Sequence, residues 1–386
     1  MRAPTAALLL ILVLLGGIWL GGHPESLPGP LRDSLVESGP ATRAEIIETI
    51  QDHYYKPVSK QSLEDASLKG MVASLKDPYS RYFNPKEAKA FNEDLSGRFE
   101  GVGMTVHPSK RGLIITDLFE GAPAQTAGLR PGDVITAVDG DSIAGVPINT
   151  ATDQIKGPPG TFVTLTVSRG KRKLTFRLKR AKIEVPEVKA RTVKRDRLKL
   201  AVVRLQSFSS GVHGKLRDKI DQELKNGAQG IVLDLRGNPG GLLREGVLVS
   251  SIFIQDGKIV STRGRATPGH VYKAEGDAIP ANIPVAVLID RGTASSSEIT
   301  TGALRDRGRA TIVGTRTYGK GVFQEIETLS NGGALDLTVG RYYLPDGEPL
   351  PRDGIKAQVH ASDNPKTKRD EALPVALDVL VRDLKK

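Results

Sequence analysis

Ile283-Pro-Val-Ala-Val-Leu-Ile-Asp-Arg-Gly-Thr-Ala-Ser-Ser-Ser-Glu298 reads as a buried strand that passes through a turn into a helix. The apolar run ends at Ile289, and helical spacing begins near Ser295 and continues through Leu304. A helix start leaves backbone N–H groups without partners. With the positive end of the helix dipole, these donors suit an oxyanion forming beside a serine. Ser295 is therefore a candidate hydroxyl nucleophile. Ser295-x-x-Glu298 is equally a capping box, so the motif alone does not choose between chemistry and helix initiation.

The choice is sharpened by residues 310–329. Ala310-Thr-Ile-Val-Gly314 reads as a strand, Gly314-Thr-Arg-Thr-Tyr-Gly-Lys-Gly321 as a glycine-rich turn, and Val322-Phe-Gln-Glu-Ile-Glu-Thr-Leu329 as an alternating strand. Glycine on each side of Lys320 lets the backbone approach another segment closely and leaves the lysine as the chemical feature of the turn. Among apolar groups a lysine loses its preference for the ammonium form and can act as a base. Serine with lysine is a recognised variant of the serine–base pair. The same stretch matches G-x-x-x-x-G-K of a phosphate loop, but Gly321 stands where Ser or Thr should hold magnesium, and a strand rather than a helix follows.

Ile231-Val-Leu-Asp-Leu235 is a second buried strand, followed by Gly237-Asn-Pro-Gly-Gly241. Proline occupies the place of a nucleophile, so the turn offers backbone rather than side-chain chemistry. Gly240 or Gly241 is a candidate second oxyanion donor beside the N–H of Ser296.

Asp234-Leu-Arg-Gly-Asn-Pro-Gly-Gly241, Thr293-Ala-Ser-Ser-Ser-Glu-Ile299, Asp306-Arg-Gly-Arg-Ala310 and Thr317-Tyr-Gly-Lys-Gly-Val-Phe-Gln324 occur in this order. The chain thereby resembles the carboxyl-terminal processing (tail-specific) proteases. Asp77-Pro-Tyr-Ser-Arg-Tyr-Phe83 and Arg341-Tyr-Tyr-Leu-Pro-Asp-Gly347 extend the resemblance over roughly residues 45–360. It implies an α/β fold: a crotonase-like β/α protease core, a β-rich PDZ domain and an N-terminal helical arm. It also implies Ser295 as nucleophile, Lys320 as general base and Gln324 as the residue that orients the lysine. Residues 320, 322 and 324 share a face if the segment is extended. Asp306 matches an aspartate discussed in that role; a carboxylate would hold Lys320 as an ammonium, so Gln324 is preferred. Ser296 stands where the family usually has alanine, and Gly354-Ile-Lys-Ala-Gln-Val359 lacks the usual proline and aspartate.

The implied organisation is a signal peptide or membrane anchor at 1–22, a linker at 23–41, a helical region at 42–95, a PDZ domain at 96–182, the protease core at 183–362 and a C-terminal helical segment at 363–386. In the PDZ-like stretch, Gly101, Val102, Gly103, Met104 and Thr105 correspond to the loop and strand that receive a terminal carboxylate and an added peptide strand. Protein or peptide substrates with apolar C-termini follow from that resemblance. Tyr54, Leu63, Leu68, Met71 and Leu75 are candidate apolar anchors of the arm, which could pack on a second subunit as a homodimer. Residues 6–22 carry no charge and no good Ala-x-Ala site follows, which favours an uncleaved anchor and an extracytoplasmic, cell-envelope or periplasmic location. The alternative from another class is a catalytically silent, membrane-tethered PDZ scaffold.

Residues 169–199 hold 14 Lys/Arg and 3 Asp/Glu, an excess equal to the whole chain's net charge of +11. Leu174-Thr-Phe-Arg-Leu178 alternates like a strand with one wet face, and no nucleic-acid motif accompanies it. A solvated face or contact with an anionic membrane surface is expected rather than nucleic acid. The six histidines lie in separate segments without metal-ligand spacing, so no metal and no other cofactor is expected. The chain has no cysteine, which excludes disulfides and lipid attachment through a thiol.

Overall fold

The structure is a computed structural model that describes residues 11–17, 19, 38–364, 366–367 and 369–386. Residues 23–37 of the expected linker and most of the apolar segment at 1–22 lie outside these residues, whereas 38–41, expected to be linker, are helical. Among the described residues no helix is long and apolar enough to cross a membrane. The chain forms two compact units, Met1–Asn84 and Pro85–Lys386.

In the first unit, helices α1 (Ser38–His53) and α2 (Lys60–Ala73) precede a short strand, β1 (Arg81–Phe83). Ser59 caps α2 by accepting the Ser62 N–H at 3.2 Å. The expected apolar anchors are only partly enclosed. Ile47 is buried and Leu63 and Leu68 are half-buried, whereas Tyr54, Met71 and Leu75 are each more than half exposed. Of the five anchors, then, only Leu63 and Leu68 are partly covered within the chain. A groove between α1 and α2 is lined by Ile46, Ile47, Ile50 and Leu63.

The second unit begins with helix α3 (Pro85–Ser96), so this last helix of the expected 42–95 region belongs to the second unit rather than the first. Strand β2 (Arg98–Gly101) leads into β3 (Met104–Ser109), β4 (Gly112–Leu118), a short helix α4 (Pro123–Thr126), β5 (Val134–Val138), β6 (Asp141–Ser142), α5 (Ile148–Ile155), β7 (Phe162–Arg169) and β8 (Arg172–Lys179). Strand β9 (Ala181–Glu184) returns antiparallel to β2, so one two-stranded ribbon carries the chain into and out of this module. The module's sheet runs β3-β4-β5-β7-β8, with β6 paired to β5. Its core comprises Leu113, Ile115, Ile135, Leu165 and Val167 with Ala151 and Ile155 of α5. On β8, Leu178 is buried while Arg172, Lys173, Arg177 and Lys179 are exposed, the wet basic face that the alternation predicts.

The rest of the unit is built on β10 (Val188–Arg195), β11 (Leu198–Leu205), α6 (Val212–Lys225), β12 (Gly230–Asp234), α7 (Leu243–Ser251), β13 (Lys258–Gly264), β14 (His270–Lys273), β15 (Val285–Ile289), α8 (Ser296–Asp306), β16 (Thr311–Gly314), β17 (Val322–Thr328), β18 (Ala334–Tyr343), β19 (Val359–His360) and α9 (Ala372–Leu384). The main sheet runs β10-β11-β12-β15-β16-β19, parallel except for the antiparallel edge pair β10–β11. Period-two geometry sends Ile231, Leu233, Val285 and Val287 to one face and Val232, Ala286 and Leu288 to the other. Both faces are buried, which explains the unbroken apolar runs. Val212, Leu216 and Ile220 of α6 line one stripe and cover the first face with α7 and α8. The second face is covered by α9 through Leu373, Ala376, Leu377 and Leu380, as the amphipathic pattern requires. A second layer, β14-β13-β18-β17, is antiparallel throughout.

The segment that delivers α9 is clasped to the end of β12. Arg236, with its side chain 11% exposed, pairs with Asp234 at 2.8 Å, Asp363 at 2.7 Å and Asp370 at 2.9 Å. Burial pushes the Asp370 carboxyl up, but the Arg236 guanidinium outweighs it and holds the group below its ordinary value. Its contribution to stability is therefore complete above the ordinary aspartate range and lost as pH falls through the lower folded-state value. Arg236→Met should cost about 3–5 kcal/mol in urea denaturation at neutral pH, because Asp234 remains buried without its partner. That deficit should shrink as the pH falls below 4; a deficit unchanged with pH would show that the clasp is not ionic.

Candidate active site

Strand β15 ends at Ile289, and a hydrogen-bonded turn carries the chain to α8. Asp290 Oδ1 accepts the N–H groups of Gly237 and Gly292, each at 2.8 Å, and the Thr293 hydroxyl donates to the Leu235 carbonyl at 2.9 Å. The turns that follow the neighbouring strands β12 and β15 are thereby fastened to each other. Ser295 sits at φ 55°, ψ −119°, a conformation that side-chain-bearing residues rarely adopt and that costs on the order of 1–3 kcal/mol.

The three adjacent serines separate cleanly. Ser296 Oγ donates to the Gly241 carbonyl and Ser297 Oγ to the Asn238 carbonyl, both at 3.0 Å. Both hydroxyls are thus used in joining α8 to the 237–241 turn. Ser295 has its backbone fixed instead: its N–H donates to Glu298 Oε2 at 2.9 Å, and its carbonyl accepts the Glu298 N–H at 2.8 Å.

Glu298 has no exposed surface, and its carboxyl group accepts four donors. Oε1 takes the Thr317 hydroxyl at 2.6 Å and the Gly319 N–H at 2.8 Å; Oε2 takes the N–H groups of Ser295 and Lys320, each at 2.9 Å. The backbones of the expected nucleophile and the expected base therefore converge on a single oxygen atom. Burial pushes the Glu298 carboxyl up from its ordinary value, and the four donors pull it back only in part. The glutamate read in the sequence as half of a capping box is also the tie between two distant segments, a role that residue spacing does not reveal.

Glycines allow this convergence. A Cβ on Gly319, at φ +102°, would lie 2.1 Å from the Arg352 carbonyl oxygen, and one on Gly321 would lie 2.6 Å from that of Leu350. Opposite them, a Cβ on Gly240 would lie 2.7 Å from Ser295 Cβ. The Gly240 N–H itself is occupied, donating to Asn238 Oδ1 at 2.9 Å. Of the two glycines considered, Gly241 is the one whose N–H has no acceptor among the described residues, and the same holds for Ser296.

Gln324 is half-buried on β17, and its Nε2 donates to Thr338 Oγ1 at 3.2 Å. The pairing of β17 with β18 shifts register between Phe323 and Gln324, with the extra residue, Val339, on β18, so the alternation of 322 and 324 along β17 is kept, while Lys320 precedes the strand. Asp306 ends α8, roughly 15 Å along the helix axis from Ser296, and is paired with Arg305 at 2.7 Å. It is too far along the helix to touch Ser295.

In the β-rich module, Gly101, Val102, Gly103 and Met104 line a groove with Phe99, Ile155 and Lys156. Gly103 holds φ +77°, and β3, which contains Met104 and Thr105, is an edge strand. An unpaired strand edge beside an apolar groove is the arrangement that receives an added peptide strand. Lys156 pairs with Glu93 at 2.7 Å and lies over the Phe99 ring.

Residues 199–361 match the model of peptidase family S41, 93–168 that of the PDZ domain and 42–87 that of the activating protease CtpB N-terminal domain. A probable CtpA-like serine protease of Staphylococcus aureus is 36% identical over 331 residues, which is 85% of this chain and 66% of that protein. The chain belongs to the S41 carboxyl-terminal processing proteases. Another family relative, of Staphylococcus haemolyticus, is 37% identical over 80% of this chain and 62% of its own length. The chain thus spans slightly under two thirds of the curated relatives it matches. Among solved structures, a photosystem II D1 C-terminal processing protease is 27% identical with a TM-score of 0.52, covering 91% of this chain and 98% of that one. A putative S41 protease from Bacteroides fragilis, 17% identical with a TM-score of 0.56 over 88% of this chain and 97% of that one, shares the fold. The mixed α/β architecture with its PDZ module is that of the S41 family, whose members are serine-type peptidases.

Glu298→Gln should dismantle the tie, because the amide replaces one acceptor by a donor facing two N–H groups or a hydroxyl and an N–H. Two lost acceptances at a buried site should destabilise the S41 core by about 2–4 kcal/mol. Denaturation curves and the rate of Ser295 labelling by a fluorophosphonate provide the check. Unchanged labelling would show that Glu298 does not position the serine.

Proposed function

We propose that this chain is a serine endopeptidase that takes protein C-termini into its PDZ groove and hydrolyses peptide bonds with Ser295 as nucleophile and Lys320 as base. The observation that carries it is the meeting of the Ser295 and Lys320 amides on one Glu298 oxygen. Lys320 removes the serine proton as Oγ attacks the substrate carbonyl. The N–H groups of Gly241 and Ser296 receive the oxyanion, Gly240 providing the close approach to Ser295. Lys320 then protonates the departing amine, and water resolves the acyl-enzyme. Gln324 is assigned to orienting Lys320 from β17.

The groove residues Gly101 to Thr105 would hold the substrate tail, with main-chain donors for its carboxylate and the open edge of β3 for its backbone. Two unoccupied N–H groups beside an uncommitted serine hydroxyl argue against a silent scaffold. Cleavage of an unstructured protein with an apolar C-terminus, followed by mass spectrometry, should fall by about ten-thousandfold or more in Ser295→Ala and in Lys320→Ala. Full activity in either variant would overturn the Ser–Lys assignment.

The reading extends to an enzyme of the cell envelope, held by residues 1–22 and paired through the α1–α2 arm. Exposed Ile46, Tyr54, Met71 and Leu75 support the pairing, and the uncharged run at 6–22 supports the anchorage. The full chain should be recovered from the membrane fraction as a detergent-solubilised dimer, and Ile46→Glu with Met71→Glu should yield monomer. Recovery as a soluble monomer would overturn both features.

A further inference from the structure

Strands β7 and β8 form the hairpin that closes one end of the module's sheet, and their alternation gives that hairpin two unlike faces. Val163, Leu165, Val167 and Leu178 enter the core shared with Ala151 and Ile155 of α5. On the outer face Phe162 lies opposite Lys179, Thr164 opposite Arg177 and Ser168 opposite Lys173. Arg111, from the turn between β3 and β4, joins them by reaching Ser168 Oγ at 3.5 Å. Arg111, Lys173, Arg177 and Lys179 are all exposed, and among the described residues none of them is in an ion pair. The carboxylates bonded to these strands are engaged already: Asp133 pairs with Arg169 at 2.7 Å, and Asp139 accepts the Thr164 N–H at 2.7 Å. The outer face is therefore cationic without internal compensation.

An apolar ring stands among these cations. Phe162 is 48% exposed, and the Arg177 guanidinium lies 4.2 Å from its ring centroid. Lysines on an edge strand also discourage a foreign strand from pairing, but that purpose calls for neither Arg111 on another turn nor an exposed ring beside them. The combination suits a lipid headgroup layer, whose phosphates meet the cations while the ring and the alkyl stems enter the boundary beneath. The guanidinium over the ring takes the place that a stacked base would need, so single-stranded nucleic acid is the poorer fit.

We propose that the outer face of the β7–β8 hairpin docks on an anionic lipid surface through Arg111, Lys173, Arg177 and Lys179, with Phe162 at the boundary. The proposal rests on the cell-envelope reading for the presence of a membrane, and on the hairpin alone for the chemistry of contact. Docking here leaves the peptide groove free. The sheet runs from β3 to β8, so the open β3 edge is at the opposite end, and the groove, lined by Ile155 of α5, is on the helix-covered side. A docked module thus turns its groove towards soluble polypeptides.

The chain has no cysteine, so Thr175→Cys, on the outer face between Lys173 and Arg177, supplies a single thiol for the environment-sensitive dye NBD. The full chain is assembled in nanodiscs of phosphatidylcholine alone or mixed with phosphatidylglycerol, both carrying a nitroxide-labelled lipid as quencher. Quenching should be several-fold greater in the anionic discs, and molar salt should abolish the difference. Lys173→Gln, Arg177→Gln and Lys179→Gln together should lower the docked-to-undocked ratio on the order of a hundredfold, at about fivefold per cation. Melting temperature and fluorophosphonate labelling of Ser295 should stay at the wild-type values. The charge-keeping exchange Lys173→Arg, Arg177→Lys and Lys179→Arg should retain the quenching, which separates loss of charge from loss of fold. NBD on Asn149→Cys, at the exposed start of α5, should stay unquenched in both discs. Equal quenching in the two discs, none in the anionic discs, or full quenching in the glutamine variant would overturn the docking. So would binding of polyglutamate or an oligonucleotide to this face with no response to anionic discs. Protein lost from neutral discs but held by anionic ones, and released by the glutamine changes, would defeat the anchorage while upholding the docking; loss from both would defeat both.

Discussion

One buried carboxyl group governs the arrangement of the site. Glu298 brings together the start of α8, the Thr317 hydroxyl and the backbone of the Gly-Lys-Gly loop, segments that no regular ladder connects. A buried carboxyl group is tolerable when its lone pairs are satisfied, and here four donors converge on two oxygens. The donors depend on it equally, because buried N–H groups left without an acceptor are costly. Loop and helix are thus mutually required.

The sheet prepares this junction. Parallel strands β11, β12, β15 and β16 end on the same side, and their turns gather where the carboxyl ends of the strands lie. The 237–241 turn after β12 and the 290–295 turn after β15 are stitched through Asp290, Thr293, Asn238, Ser296 and Ser297. These links hold Ser295 in its unfavourable backbone conformation and leave two amides undirected. On the opposite face of the sheet α9 contributes apolar burial and a two-pronged ion pair from Asp378 to Arg195 of β10, while the Arg236 clasp fixes where its approach segment meets β12.

Much of this was legible in the chain. The apolar runs at 231–235 and 285–289 announced strands buried on both faces, and Ser295 marked the helix start within one residue. The basic face of β8 followed from its alternation. Other features were hidden because they arise from approach rather than from pattern. Nothing in Asn238 says that its side chain occupies the Gly240 amide, and nothing in the triplet of serines says that two are tied to carbonyls. The extra residue that shifts the register between Phe323 and Gln324, Val339, lies on β18, so it leaves no mark in the alternation of β17 itself. The arm's Tyr54, Met71 and Leu75 were read as anchors since hydrophobicity reports a tendency to be covered without naming what covers it.

The two undirected amides come from the turns of β12 and β15, neighbours in the sheet. Adjacent strands lie roughly 4.8 Å apart in any sheet, a spacing set by the peptide hydrogen bond itself. The roots of the two turns are therefore held apart by a molecular ruler that neither loop can stretch. Insertions at the groove or changes in the arm leave that gauge untouched, because neither interrupts the hydrogen bonds between β12 and β15: it is the lattice constant of the β-sheet.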